Sequence, residues 1–258
     1  EFDKSVQLLT SLSDNCVCPN KMLLSMDLLQ TFCDTVQPNL IVLQNITFAN
    51  SAYASEILNR FSCPVILWTL REPVIDGGRL RLNSLTGAYS AATALHAFGN
   101  NHFDYVFGSP EESEVQTKLS AAIGAVRVKC ELKHLKMASI GHTPQGFGFG
   151  RALDADMLSV FGVTLDSIEA RELIEHAKSY TNEECRPYLD EAIAKTVGMD
   201  ATPTKNVDDF ARLYKAYADY IKENGIGALS SRCWPDFFTV YGTPVCAVLS
   251  LLNENGIA

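Results

Sequence analysis

Short apolar runs rich in β-branched residues alternate with amphipathic stretches of helical period along this chain, and this alternation constrains its fold most strongly. Strands separated by helices favour parallel pairing, because each helix carries the chain back across the sheet. The chain has 258 residues, which is more than one small hydrophobic core requires. This length fits two domains of somewhat over a hundred residues each. The sequence therefore predicts an α/β protein with two successive doubly wound (Rossmann-like) parallel-sheet domains, at 1–134 and 135–258.

The individual elements follow from the same periodicity. We predict strands at 40–46, 64–70, 103–107, 136–141, 163–168 and 229–233. We predict helices at 4–12, 52–60, 84–98, 111–133, 171–179, 182–197, 207–224 and 245–255. The first strand is expected to be fully buried, because its apolar run is nearly continuous. Asp154 is expected to cap the helix that follows a glycine-rich loop, and 199–206 is expected to be a polar linker.

From the two ends of the chain we expect it to be part of a larger protein. The chain opens on a helix, whereas a doubly wound domain normally begins with a strand, so we expect the first strand to be missing. At the other end a helix stops at Asn255 and Gly256, and Ile257 and Ala258 begin a strand that does not continue. Functional groups of open parallel sheets lie just past the strand ends, so we expect the chain to stop before its chemical centre.

Charge and hydropathy exclude several classes of partner. The net charge is -9 with a pI of about 5.0, and no run of Lys or Arg exceeds two residues. A chain of this kind lacks the basic surface of a nucleic-acid binder. No apolar run reaches the roughly 18 residues that a membrane span requires. No secretory leader is visible at the N-terminus, which favours a cytoplasmic protein.

The cysteines are scattered rather than arranged as a framework. There are eight, and several lie within apolar segments, which favours buried free thiols in a reducing compartment. Cys16 and Cys18 are the close pair, but they lack C-x-x-C spacing and a neighbouring histidine. A zinc or redox site there is therefore not favoured.

A glycine-rich loop and several strand ends are the candidate functional segments. The loop 144–150 has the spacing G-x-G-x-G rather than the G-x-G-x-x-G of dinucleotide sites, so a flexible loop is favoured over a nucleotide site. Residues that follow strand ends are enriched in function, although the candidates here also have structural explanations as turn caps, ion-pair partners or apolar plugs. These residues are Asn45, Thr47, Phe48, Arg71, Glu72, Gly108, Ser109, Glu111, Arg232, Trp234 and Asp236.

Taken in order, several blocks of sequence resemble one enzyme family. The run PVILWTLREP at 64–73 followed by RLNSLTG at 81–87 resembles the N-terminal region of the L-fucose/L-arabinose isomerase superfamily. RCWP at 232–235, YGTP at 241–244 and CAVLSLLN at 246–253 resemble the second domain of that family, closest to its L-fucose isomerase-like branch. The resemblance spans almost the whole chain and depends on the joint order of the blocks.

The resemblance implies an activity and a metal. Members of this family have two doubly wound domains and a C-terminal catalytic domain, and they interconvert aldoses and ketoses by moving a proton between C1 and C2 through an enediol. A divalent cation, typically Mn²⁺, is held by a Glu, an Asp and a His. The glutamate follows a Gly-Ile-Ala turn, which matches 256–258 here. We therefore expect this chain to lack the catalytic domain, the catalytic residues and the metal ligands, and to be inactive alone.

The resemblance also implies substrate-binding residues. Arg232 and Trp234 match the stretch that lines the sugar cavity, and Phe48 matches an aromatic wall that one subunit presents to the sugar of its neighbour. A monosaccharide ligand and a homo-oligomer are therefore expected. Two alternatives remain open: a non-catalytic bilobed sugar-binding or sensor module, and a nucleotide-dependent enzyme, against which the glycine spacing argues.

Overall fold

The chain forms two compact α/β units in the computed structural model, which describes residues 1–99 and 103–258. Unit 1 comprises Glu1–Cys130 and unit 2 comprises Glu131–Ala258. In the described residues each unit has a parallel sheet of three strands with helices packed against it. The prediction of two successive α/β domains built on parallel sheets is therefore confirmed.

Unit 1 contains the first three strands of the chain. Its elements are α1 (Phe2–Leu12), α2 (Met26–Cys33), β1 (Ile41–Asn45), α3 (Ser51–Arg60), β2 (Val65–Thr69), α4 (Ser84–Ala97), β3 (Asp104–Phe107) and α5 (Ser113–Leu132), which ends just inside unit 2. The strand order is β1-β2-β3, and both pairings are parallel. The short helix α2 was not predicted; its Ser25 cap accepts a hydrogen bond from the N–H of Leu28 at 3.3 Å.

Strand β2 lies at the centre of this sheet and β1 at its edge, and their burial differs accordingly. All five residues of β2 are buried, whereas β1 is half-buried except for Asn45. The prediction that the first strand is fully buried is therefore wrong. An apolar run shows that a strand belongs to a sheet, but the neighbouring strands and helices decide how much of it is covered.

The two faces of β2 form two separate cores. Ile66 and Trp68 pack against α1 and α5 on one face, while Val65 and Leu67 pack against α3 and α4 on the other. This division follows from the two-residue period of a strand. The buried face of α4 consists largely of small residues, which allows close packing against the sheet.

Unit 2 contains the remaining strands. Its elements are β4 (Lys136–Ile140), a 3₁₀ turn (Gly148–Gly150), α6 (Asp154–Phe161), β5 (Thr164–Ile168), α7 (Ala170–Ser179), α8 (Asn182–Lys195), a second 3₁₀ turn (Met199–Ala201), α9 (Thr204–Asn224), β6 (Ala228–Ser231), a π-helical segment (Phe237–Tyr241) and α10 (Cys246–Glu254). The strand order is β5-β4-β6 with parallel pairing. Ala258 lies beside β6, because its N–H donates to Gly227 O and its carbonyl accepts from Leu229 N.

Several boundaries in unit 2 differ from the prediction. Asp154 is the first helical residue of α6, and Leu153 occupies the cap position, so the assignment of Asp154 as the cap is wrong. Its carboxylate instead accepts the N–H of Ala155 at 2.9 Å, within the first turn. The expected linker at 199–206 contains a 3₁₀ turn and the beginning of α9.

The core of unit 2 is built mainly by helices α7, α9 and α10 together with the π-helical segment. Leu173, Leu213, Tyr217, Phe237 and Val248 are fully excluded from solvent within it. The hydroxyl of Tyr217 forms a hydrogen bond of 2.7 Å with Ser231 at the end of β6. This bond ties the longest helix of the unit to the strand end that carries the candidate site.

Two further expectations concern the state of the cysteines and the presence of a membrane-spanning helix. The described cysteines are free thiols, as predicted. Cys33 and Cys185 are buried, Cys246 is exposed, and the others, Cys63 among them, are half-buried, so the prediction of burial is confirmed only for the first two. Cys246 is the first residue of α10, and the buried residues of that helix are Val248, Leu251 and Leu252. In the described part of the chain, no helix combines the length and apolar character that crossing a membrane would demand.

Candidate functional site

The carboxyl ends of β4 and β6 bring Arg232 and His142 together in unit 2. The N–H of Arg232 donates to Ile140 O at 2.9 Å, which extends the pairing of the two strands by one residue. Gly141 has φ +72°, and a Cβ at this position would lie 3.2 Å from Cβ and Cδ of Arg232. Glycine therefore allows the Arg232 side chain to pass over the end of β4 towards His142.

The guanidinium of Arg232 is held by neighbouring polar groups. Its Nη1 lies 2.8 Å from Nδ1 and 3.0 Å from Nε2 of His142, so whichever ring nitrogen carries no hydrogen accepts the bond. Its Nε donates to the carbonyl of Trp234 at 3.2 Å. Nη2 of Arg232 has no hydrogen-bond partner among the residues that the structure describes. Its two N–H groups are therefore available to donate to a ligand.

Asp236 provides the negative charge beside this arginine. Its Oδ2 lies 3.1 Å from Nε of Arg232, and the two side chains are only 15% and 12% exposed. Oδ2 accepts no hydrogen bond in the described structure, because the single Nε–H is directed at Trp234 O. Nε of Arg171 lies 4.0 Å from Oδ1, at the limit of an ion pair. The Arg232 charge is thus compensated, and its position is fixed.

Trp234 lies between these two residues in the sequence and is 63% exposed. An exposed indole next to a fixed guanidinium is a combination that suits a sugar, because the aromatic face covers apolar C–H groups while the arginine donates to hydroxyls. The structure therefore places Arg232 and Trp234 together at one sheet end. Their contact with a sugar stays a prediction.

Phe48 lies in unit 1, three residues after the end of β1, and lines a groove of about 560 Å³. The groove is formed by Thr47, Phe48 and the segment 79–83. The N–H of Phe48 donates to Leu82 O at 3.2 Å, which joins the two walls. Phe48 is 53% exposed, so its ring is accessible to a ligand, although its predicted contact with sugar is likewise untested.

Glu72 holds the second wall of this groove in place. Its carboxylate accepts backbone N–H groups of Arg81, Leu82 (3.1 Å) and Asn83 (3.0 Å). Partial desolvation raises the pKa of Glu72, but these N–H donors together hold the pKa below its ordinary value. Glu72, a strand-end candidate from the sequence, therefore has a structural role here.

Ser84 connects the ends of β1 and β2. Its buried hydroxyl donates to the carbonyl of Asn45 and accepts the N–H of Leu70 at 2.9 Å. One turn further along α4, a Cβ on Gly87 would lie 3.1 Å from Ala49 N, Asn45 Nδ2 and Thr47 O. The turn that carries Phe48 is thus packed directly against α4.

Replacing Ser84 with alanine is expected to lower the free energy of unfolding by about 2 kcal/mol, because two buried backbone groups lose their partner. Chemical unfolding followed by circular dichroism would measure this. Ser90→Ala is the matched control on the same helix, where the serine hydroxyl has no hydrogen bond among the described residues and no loss is expected. Equal stability of the two variants would contradict the role of Ser84.

Arg71, another strand-end candidate, is engaged in a structural ion pair. Its Nε and Nη2 donate to the two carboxylate oxygens of Glu112 at 2.9 and 2.8 Å, and its guanidinium lies 4.7 Å from the centre of the Phe107 ring. The bonds from Arg71, followed by the N–H of Ser109, lower the pKa of Glu112 from 4.5 to about 2. This pairing confirms that Arg71 has a partner within the fold.

The lowered pKa of Glu112 predicts a pH-dependent contribution to stability. The contribution is present above pH 4.5 and is lost as the pH falls towards 2, because protonation then removes the favoured charge. The difference in thermal unfolding midpoint between wild type and Glu112→Gln should therefore shrink across this interval. Glu114→Gln, which removes an exposed pair with Lys118, serves as control. A difference that is constant with pH would contradict the assignment.

The described residues offer no fit for a metal, and the glycine loop offers little to a phosphate. In residues 1–99 and 103–258, no group of three or more His, Cys, Asp or Glu side chains lies close enough to hold an ion. The helix after the glycine loop begins with Asp154 and Asp156, whose charges oppose anion binding at its N-terminus.

Sequence reasoning did not identify the contacts of Arg232. Asp236 was only one of several strand-end candidates, and nothing in the sequence linked His142 to Arg232. The missing information was the strand order, because β6 pairs with β4 although β5 lies between them in the sequence. The N–H of Arg232 follows this pairing, and the His142 contact depends on it.

Comparison with known proteins finds sulfoquinovose isomerases that are similar to this chain. No protein-family model matches the chain. A sulfoquinovose isomerase from Clostridium sp. (strain MSTE9) is 65% identical over 257 residues, which is 100% of this chain and 58% of the relative. A sulfoquinovose isomerase from Priestia megaterium is 34% identical over 260 residues, covering 98% of this chain and 57% of the relative. One from Alkalicoccus urumqiensis is 34% identical over 245 residues, or 93% and 54%.

The similarity therefore covers nearly all of this chain but little more than half of each relative. The chain is similar to sugar isomerases along nearly its whole length. This agrees with the enzyme class that the resemblance of its sequence blocks predicted.

Proposed function

We propose that this chain provides the substrate-binding units of an aldose–ketose isomerase that acts on sulfoquinovose. The observation that carries the proposal is the 65% identity to a sulfoquinovose isomerase over 257 residues. The same similarity favours an isomerase over a bilobed binding module or a nucleotide-dependent enzyme. Sulfoquinovose is a glucose-like aldose whose C6 bears a sulfonate, so its binding site must accommodate both hydroxyls and a permanent anion.

Within this proposal the residues of unit 2 bind and orient the sugar. Arg232 donates to sugar hydroxyls through its free Nη2 edge, while His142 and Asp236 hold the guanidinium in place. Trp234 covers an apolar face of the ring, which its exposure allows. Fixing the sugar in one orientation lowers the entropic part of the barrier to proton transfer.

The metal, the assembly and the compartment are further proposals that rest on the resemblance. A divalent cation such as Mn²⁺ would serve the whole enzyme by polarising the sugar oxygens, although the described residues of this chain do not fit it. A homo-oligomer would allow Phe48 of one subunit to contact the sugar bound by another. A cytoplasmic location agrees with the free thiols of the described cysteines.

The proposed function is tested by incubating the full-length protein with sulfoquinovose labelled with ¹³C at C1 and C2. Loss of the anomeric C1 signal and appearance of a ketose C2 signal are expected. L-fucose and L-arabinose are tested in parallel. Conversion of either of these sugars without conversion of sulfoquinovose would contradict the substrate assignment, and conversion of none would contradict the isomerase assignment.

A further inference from the structure

The groove beside Phe48 contains an arginine whose charge is not compensated. Arg79 lines the groove, and its guanidinium has no hydrogen-bond or ion-pair partner among the described residues. The neighbouring Arg81, by contrast, donates from Nη2 to Asp76 Oδ2 at 3.0 Å. Arg79 thus keeps its charge and donors available for a ligand.

The acidic groups of the same loop are already engaged. Asp76 uses its other carboxylate oxygen to accept the N–H of Gly78 at 2.9 Å. Glu72 accepts the backbone N–H groups of the groove wall, and Arg71 pairs with Glu112 outside the loop. No carboxylate in the described residues therefore forms an ion pair with Arg79.

We propose that this groove binds the sulfonate of the sugar substrate through Arg79, an inference that rests on the proposed function. A guanidinium presents parallel donors to two oxygens of a tetrahedral anion and keeps its charge at any physiological pH. Phe48 lines the same groove and offers an apolar surface to the C6 methylene next to the sulfonate. Thr47, on the same wall, contributes a hydroxyl donor.

The charge distribution favours Arg79 over Arg232 for this role. The chain carries a net charge of -9, so an anionic substrate needs a local positive group. Arg232 is paired with Asp236 and is only 12% exposed, so its field is largely neutralised. Arg79 is exposed and unpaired in the described structure, and an anion there gains a charge partner without displacing one.

The test compares a sulfonated sugar with its neutral counterpart. Dissociation constants of full-length wild type, Arg79→Gln, Arg79→Lys and Arg127→Gln are measured for sulfoquinovose by calorimetry and for 6-deoxyglucose by ligand-observed NMR. Arg127 is the matched control, because it is exposed, has no partner among the described residues and does not line the groove. Thermal unfolding shows that each variant is folded.

Arg79→Gln is expected to weaken sulfoquinovose binding about 10- to 100-fold and to leave 6-deoxyglucose binding unchanged. Arg79→Lys should recover part of the loss, and Arg127→Gln should bind both sugars as wild type does. Unchanged sulfoquinovose binding by Arg79→Gln overturns the inference while the proposed function stands. An equal loss for both sugars also overturns it. A wild-type protein that neither binds nor converts sulfoquinovose overturns the proposed function itself.

Discussion

Replacing Arg232 with glutamine in the full-length protein is expected to lower kcat/KM for the proposed substrate, sulfoquinovose, about 100-fold, because hydrogen bonds from a charged donor contribute roughly 1.5–3 kcal/mol. Glutamine retains some donor capacity but cannot span the distance between the free Nη2 position and the contacts with His142 and Trp234. Steady-state kinetics with sulfoquinovose would measure the change. The proposal of substrate contact requires that catalytic efficiency fall without loss of the folded protein.

Two further variants show whether the effect comes from substrate contact. Arg232→Lys tests whether positive charge alone is sufficient, and Arg186→Gln tests whether loss of any arginine in this unit lowers activity. Lysine keeps a positive charge beside Asp236 but lacks the planar fork, so only part of the efficiency should return. Arg186 lies on α8 in the same unit and pairs only with Asp190, at 2.9 Å, among the described residues. Its replacement should leave kcat/KM unchanged. Wild-type efficiency in Arg232→Gln, or a loss explained by a lower unfolding midpoint alone, would count against substrate contact.

Replacing Trp68 with alanine is expected to lower the free energy of unfolding by about 3–5 kcal/mol. Trp68 lies on the central strand β2 with no solvent exposure and packs against α1 and α5. Its indole N–H donates to the carbonyl of Gly108 at 3.0 Å. The substitution removes both the largest buried side chain and the partner of a buried carbonyl. Urea unfolding followed by circular dichroism would measure the loss.

The other tryptophan of the chain provides the matched control. Trp234 is 63% exposed, so Trp234→Ala should change the free energy of unfolding by less than about 0.5 kcal/mol. The same variant should raise KM for the sugar, because the aromatic face is lost. Similar destabilisation by the two substitutions would show that exposure does not separate a structural tryptophan from a binding one here. An unchanged KM in Trp234→Ala would contradict its role.

Helices and strands were predictable from the sequence where one hydrophobic period determines them. The run at 64–70 was correctly predicted as a strand, because β2 lies at the sheet centre and both of its faces need apolar residues. The helix predicted at 84–98 was likewise confirmed as α4, whose small buried residues pack closely, as Gly87 shows most clearly. The burial of β1 and the capping of α6 were wrong, because sheet edges and the path of the preceding loop determine them.

The sequence by itself determined the α/β class, the parallel connections and the strand-end candidates Arg232, Trp234 and Phe48. The fold class, the connections and the position of these residues at strand ends follow from hydrophobic periods and turn residues that act over a few positions, whereas their selection as substrate-binding residues follows from the family resemblance. Only the tertiary structure decided that β6 lies beside β4, so that Arg232 contacts His142, and that ion pairing occupies Arg71 and Arg81 but leaves Arg79 free in the described residues. Strand order and the Arg71–Glu112 pair depend on contacts between residues far apart in the chain, and the Asp76–Arg81 pair depends on the path of one loop; hydrophobic periods encode neither.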